Sequence, residues 1–317
     1  MTAIQTGRSR GTAPSLLRRL GKDLRQNAAI YLMVLPSVVY YIIFKYIPIY
    51  GATIAFKDYT FAKGIFNSPW VGLKHFEAFL TSYYCLRLIR NTFLLSFYSI
   101  LFGFPAPILL ALLLNELRSD KYKRFVQTIT YLPHFISTVV ICGIIVNFCA
   151  SDGLFNEIAR FFGGSGGGNL LQKPQYFRTI YIASDIWSGI GWGSIIYLAA
   201  ISGIDMEQYE AAIIDGASRL KQTLYITLPN ILPTVSIMLI LRMGKIMSVG
   251  HEKTLLLYNE ATWSASDIIS TYTYREGLVK MNYSSSSAIG LMNSLVNILF
   301  LLLSNWFSNR FSQTGLF

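Results

Sequence analysis

Apolar residues gather into six long runs, at 28–50, 92–114, 125–149, 179–201, 231–250 and 288–307. A helix of about 20 mostly apolar residues crosses the ~30 Å hydrocarbon core of a bilayer. The second, third and sixth runs contain no Asp, Glu, Lys or Arg. The first holds Lys45, the fourth Asp185, and the fifth Arg242 and Lys245. The two-residue alternation of a barrel is absent, so only helices can satisfy the backbone across such runs. The pattern predicts an all-α integral membrane protein. Its six-span domain covers residues 28–310, between a basic segment at 1–27 and a tail at 311–317. Pro36, Pro48, Pro105, Pro107 and Pro133 lie inside the runs and predict kinks.

Composition agrees. Hydrophobic residues make up 53% of the 317 and charged residues 14%, against about 25% charged in a soluble domain. This excludes a disordered chain and argues against a soluble two-domain enzyme. The net charge of +11 has a membrane explanation, since basic residues collect in cytoplasmic loops; no nucleic-acid partner is expected. Residues 1–27 carry Arg8, Arg10, Arg18, Arg19, Lys22 and Arg25 against Asp23. The loop after the second run carries Arg118, Lys121, Lys123 and Arg124. Both termini are therefore expected in the cytoplasm, with Arg310 on that side. Lys57, Lys63 and Lys74 in the outer loops moderate this bias. The first run is too long for a signal-peptide core and lacks a clear cleavage site, which predicts a retained helix.

No chemistry converges. Cys85, Cys142 and Cys149 make no disulfide framework. His75, His134 and His251 fall in different segments without metal-ligand spacing. The glycine-rich stretch 163–168 lacks the lysine of a phosphate-binding loop and reads as a flexible outer loop.

The loop at 204–230 carries the most information. Asp205 can cap a helix start, with Glu207 and Glu210 favoured at the positive end of its dipole. Tyr209, Ala212, Ile213 and Gly216 fall at i, i+3, i+4 and i+7, a face suited to docking in a groove. Pro229 is placed to start the next membrane helix. Spacing leaves open whether this helix docks on a protein or lies on the bilayer.

The string Glu210-Ala211-Ala212, three residues, Gly216, nine residues, Ile226-x-Leu228-Pro229 resembles the "EAA" signature of permease subunits in bacterial ABC importers. Other stretches are similar to sugar permeases of the lipoprotein-linked, complex-oligosaccharide branch, related to the maltose type. They are Tyr46–Gly51, Ala55–Tyr59, Trp70–Phe76, Asn91-Thr92, Phe104–Pro107, Tyr131–Phe135, Leu255–Asn259 and Tyr272–Leu278. Members of that branch handle complex oligosaccharides, alginate among them.

The resemblance implies a type I importer fold and a transport subunit that is not an enzyme. It implies a second homologous permease chain, an ATPase dimer carrying ATP and Mg²⁺, and an extracytoplasmic substrate-binding protein. This chain itself binds no cofactor and no metal. Its coupling residues are Tyr209, Glu210, Ala211, Ala212, Asp215, Gly216, Leu228 and Pro229.

Intramembrane polar groups mark the substrate path. Arg242 and Lys245, at i and i+3, either line a basic cavity suited to a uronate oligomer or pair with Asp185 or a partner chain. Trp187 and Trp192 either stack on sugar rings or anchor and pack. Asn293 and Asn297 are read first as helix–helix hydrogen-bonding residues. A stand-alone ion-coupled carrier and an integral-membrane enzyme are the competing functions.

Overall fold

The computed structural model describes residues 23, 25–164, 167–248 and 250–312. Arg8, Arg10, Arg18, Arg19, Lys22 and the end of the tail lie outside the described residues, as do Ser165 and Gly166 of the glycine-rich stretch. The chain divides into two units, 1–53 and 54–317. The first is built on helix α1 (Ala28–Phe56), whose sequence is apolar on every side, as a lipid-exposed helix requires.

The second unit is also helical, and its described residues form no strand beyond the single bridge Lys57–Trp70. It holds α2 (Lys74–Leu80), α3 (Cys85–Glu116), α4 (Asp120–Tyr131), α5 (Thr138–Phe161) and α6 (Pro174–Ser202). Then come α7 (Met206–Ile214), α8 (Arg219–Met243), α9 (His251–Leu257), α10 (Ile269–Tyr274) and α11 (Tyr283–Ser312). Helices α1, α3, α5, α8 and α11 are long and apolar enough to cross a membrane; a sixth span counts α6 together with α7, across a bend of 71°.

Two predicted spans are corrected. The run 125–149 is not one helix. Pro133 lies in a 3-10 turn, Leu132–Phe135, that ends α4, and Ser137 caps the start of α5 by accepting from the Val140 amide. The span is α5, Thr138–Phe161. The fifth span runs from Arg219 to Met243, not over 231–250. Lys245 therefore stands past the helix end, in a turn where its N–H donates to the Arg242 carbonyl at 3.1 Å, so a turn and not α8 sets its i, i+3 relation to Arg242.

The prolines act through the backbone. Three π-turns, Ile42–Tyr46, Ser99–Gly103 and Thr223–Thr227, each close two residues before a proline: Pro48, Pro105 and Pro229. A proline has no N–H for the carbonyl four residues back and its ring pushes that carbonyl away. A widened turn absorbs both effects without ending the helix. Pro229 consequently lies inside α8 instead of starting it.

Three buried clusters share α3. Leu95 packs with Ile141, Cys142 and Ile145 of α5 and with Phe177 and Tyr181 of α6. Leu88 packs with Phe79, Ile269 and Ile289, and Ala111 with Tyr197, Ile201 and Ile231. All three cysteines are free and buried, as small apolar residues. Glycines bring α6 against its neighbours: a Cβ on Gly193 would lie 3.0 Å from the Pro107 ring, and one on Gly191 would overlap the Thr130 carbonyl of α4.

Gly191→Ala should therefore destabilise the protein by about 1–3 kcal/mol, read as a lower melting temperature in detergent. Gly189→Ala, with nothing within 4 Å of the added carbon, should melt like the native protein.

Candidate functional site

Helix α7 is formed by local chemistry. The Asp205 carboxylate accepts from the Glu207 amide at 3.1 Å. At the other end Gly216 has φ +74°, and two bonds close the helix: Ala217 N–H to Ala212 C=O at 2.8 Å and Gly216 N–H to Ile213 C=O at 3.0 Å. This pair is a Schellman cap, which needs a left-handed residue where glycine sits. Gly216 thus lies beyond the helix, and its role within the chain is conformational, since no atom lies within 4 Å of an added Cβ.

The expected docking face is divided. Tyr209 and Ala212 are half-buried against the chain itself, with Tyr209 Oη 2.8 Å from Thr227 Oγ1 of α8. Glu210, Ala211, Asp215 and Gly216 are exposed, together with Met206, Ile213 and Ile214, the last 86% accessible. The outward surface is therefore apolar with acidic edges. Gln208 is tied to Asn230 at 2.9 Å. Arg219 and Thr223 hold Glu116 at the end of α3, at 3.4 and 3.0 Å. Leu228 packs against the Ala111–Tyr197 cluster, while Pro229 is exposed.

Within the second unit a cavity of about 540 Å³ opens between α3, α5, α6, α8 and α9. Arg242, Lys245 and Lys253 bring positive charge to its walls, Asp185 and Glu252 negative, and Ser99 and Ser188 hydroxyls. Arg242 Nη2 donates to Ser99 Oγ at 2.6 Å and lies 3.9 Å from Asp185 Oδ2. Lys253 Nζ donates to the Tyr181 carbonyl at 3.0 Å and lies 3.5 Å from Asp185 Oδ1. Lys245 has no ion-pair partner among the described residues. Arg242 thus both lines a cavity and faces Asp185.

Lys253 escaped sequence reasoning. It lies outside the six runs, in a short segment that resembles an outer loop, yet α9 packs on α5 and buries it. Its signal was Leu255–Leu257, an apolar triplet beside a charge. Asp267 was missed for the same reason. It is fully buried and bound by Arg275 at 2.9 and 2.8 Å and by Arg87 at 3.3 Å.

The remaining candidates are not brought together at the cavity. Trp192 stacks face to face on His134, with centroids 4.5 Å apart, and meets Phe135 edge-on. Trp187 is partly exposed. The Asn293 side-chain oxygen is buried and without a hydrogen-bond partner, whereas Asn297 accepts from the Met247 amide at 2.8 Å and donates to Ser248. The described residues contain no cluster of metal-ligating side chains.

The family described as "Binding-protein-dependent transport system inner membrane component" matches residues 103–313. The chain belongs to this family. Protein LplB of Bacillus subtilis is 41% identical to the permease over 93% of this chain and 92% of that one. The polygalacturonan/rhamnogalacturonan transport system permease protein YteP of the same organism is 42% identical over 95% and 94%. A chain of a bacterial alginate ABC transporter, solved with an alginate pentasaccharide-bound periplasmic protein, superposes with a TM-score of 0.87. It is 42% identical, over 94% of this chain and 100% of that chain. The permease is accordingly a membrane subunit of an ABC importer and not an enzyme. Its fold is that of the type I importer transmembrane domain.

Gly216→Ala forces a side chain into the left-handed region, at a cost of about 1–2 kcal/mol. Amide hydrogen exchange should speed up at residues 216 and 217, where α7 opens to relieve the strain, more than in the buried clusters of the spans.

Proposed function

We propose that this permease forms half of the translocation path for an acidic, uronate-containing oligosaccharide. In this reading an extracytoplasmic binding protein delivers the sugar, and a second, homologous permease supplies the other half. The protein sits in the cytoplasmic membrane of a bacterium with both termini inside. The observation that carries the substrate class is the cavity wall, where Arg242, Lys245 and Lys253 outnumber Asp185 and Glu252. A carboxylate on the sugar would be matched there by charge-assisted hydrogen bonds, stronger than neutral ones. The named substrates of YteP and of the alginate transporter are polymers of acidic sugars, which supports the same class.

Coupling runs through α7. Glu210, Asp215 and the exposed Met206, Ile213 and Ile214 enter a groove on the ATPase, while Tyr209 and Gln208 fasten the helix to α8, which Glu116 in turn ties to α3. ATP with Mg²⁺, held by the ATPase chains, supplies the energy. Movement of α7 is passed through these contacts to the spans, which rock between inward-open and outward-open arrangements. ATP binding drives the change because it favours one arrangement over the other.

Glu210→Lys should cut uptake by the assembled complex in proteoliposomes about tenfold or more, a rise of ~1.4 kcal/mol or greater in the barrier to transport, while basal ATP hydrolysis continues. Normal coupled transport refutes the role of α7. The substrate class is tested by the ATPase rate of the same complex given binding proteins loaded with uronate or neutral oligosaccharides. Arg242→Gln and Lys245→Gln should each reduce the preference for the charged ligands; an unchanged preference refutes the acidic-sugar reading.

A further inference from the structure

Two aspartates of the permease stand beside paired cations, and their geometries differ. Asp267 is sealed from solvent and gripped by both nitrogens of Arg275, at 2.9 and 2.8 Å. Those are the distances of a full charge-assisted pair. Asp185 is 42% exposed, towards the cavity, and its cations stand off at 3.5 and 3.9 Å.

The cations beside Asp185 do not depend on it for position. Arg242 is held by the Ser99 hydroxyl at 2.6 Å. Lys253 is held by the Tyr181 carbonyl at 3.0 Å, with its ammonium 4.7 Å from the centre of the Tyr181 ring. Were Asp185 to swing away, two pre-positioned donors would remain, facing the open cavity. Lys245, His251 and Glu252 line the same space.

We propose that Asp185 is an exchangeable counter-anion. It balances Lys253 and Arg242 while the path is empty and yields them to a substrate carboxylate, which makes Lys253 a specificity-determining residue. This rests on the acidic-sugar reading above. The device answers two requirements of a transport site. A buried lysine without a counter-charge is costly. A site that bound the carboxylate without competition would also hold its cargo too firmly to release it. Asp185 lowers the net affinity and retakes the cations as the sugar departs.

Equilibrium binding to the complete complex, free of nucleotide and binding protein, tests the exchange. The probes are trigalacturonate and its carboxyl-reduced, neutral counterpart. Asp185→Asn should tighten trigalacturonate binding, and Lys253→Gln should weaken it. Each shift should be roughly tenfold, the size of one charge-assisted hydrogen bond. Asp185→Glu retains the charge on a longer arm, reaches the cations more closely and should weaken it too. The neutral trimer should bind all of these variants equally, and Lys253→Arg should restore the native pattern.

A native complex that does not prefer the charged trimer overturns the acidic-sugar reading itself. A native preference that Asp185→Asn and Asp185→Glu both leave unchanged overturns the exchange alone. So does an equal loss of binding for both sugars, which is the mark of a merely structural residue.

Discussion

A peptide group facing hydrocarbon has no water to bond, so it must find its partner inside the protein. That constraint shapes the whole chain. It demands helices for the long apolar runs, and it governs how they are interrupted. Where proline removes a donor, the helix widens into a π-turn and continues, as at Ser99–Gly103 and Thr223–Thr227. Where the chain does break, a side chain takes over the exposed amides, as Ser137 does at the start of α5 and Asp205 at the start of α7.

Side-chain charge obeys the same constraint in two ways. Asp267 is neutralised in place by Arg275 and Arg87, tying the segment before α10 to the start of α3. Asp185 is balanced more loosely beside a polar cavity. The first arrangement resists rearrangement, and the second leaves the cavity chemically available. The same residue types thus make one sealed ion pair and one open pair within a single chain.

Much of this was legible in the sequence. Apolar runs are a direct signal because hydrocarbon thickness sets their length, and five of the long helices follow from them. Helix α7 was legible from Asp205 as its cap and Gly216 as its stop. Three things were not. The break at Leu132–Phe135 is hidden because no charge marks it. The end of α8 at Met243 is hidden because apolar residues continue past it. Lys253 and Asp267 are hidden because their burial comes from tertiary packing of short helices, which no local pattern encodes. The contact of Tyr209 with Thr227 was not legible for a related reason: periodicity defines a face but does not say what that face meets.

The π-turn at Ser99–Gly103 carries a mechanical implication. Ser99 is both a residue of that loosened turn and the hydroxyl that holds Arg242. The companion turn at Thr223–Thr227 contains the residue that anchors Tyr209 of α7. Each widened turn thus holds one polar contact between helices, Ser99 to Arg242 and Thr227 to Tyr209. The turn on α3 lines the cavity, and the turn on α8 lies against α7. A change of pitch at either turn would therefore move a side chain that holds a neighbouring helix.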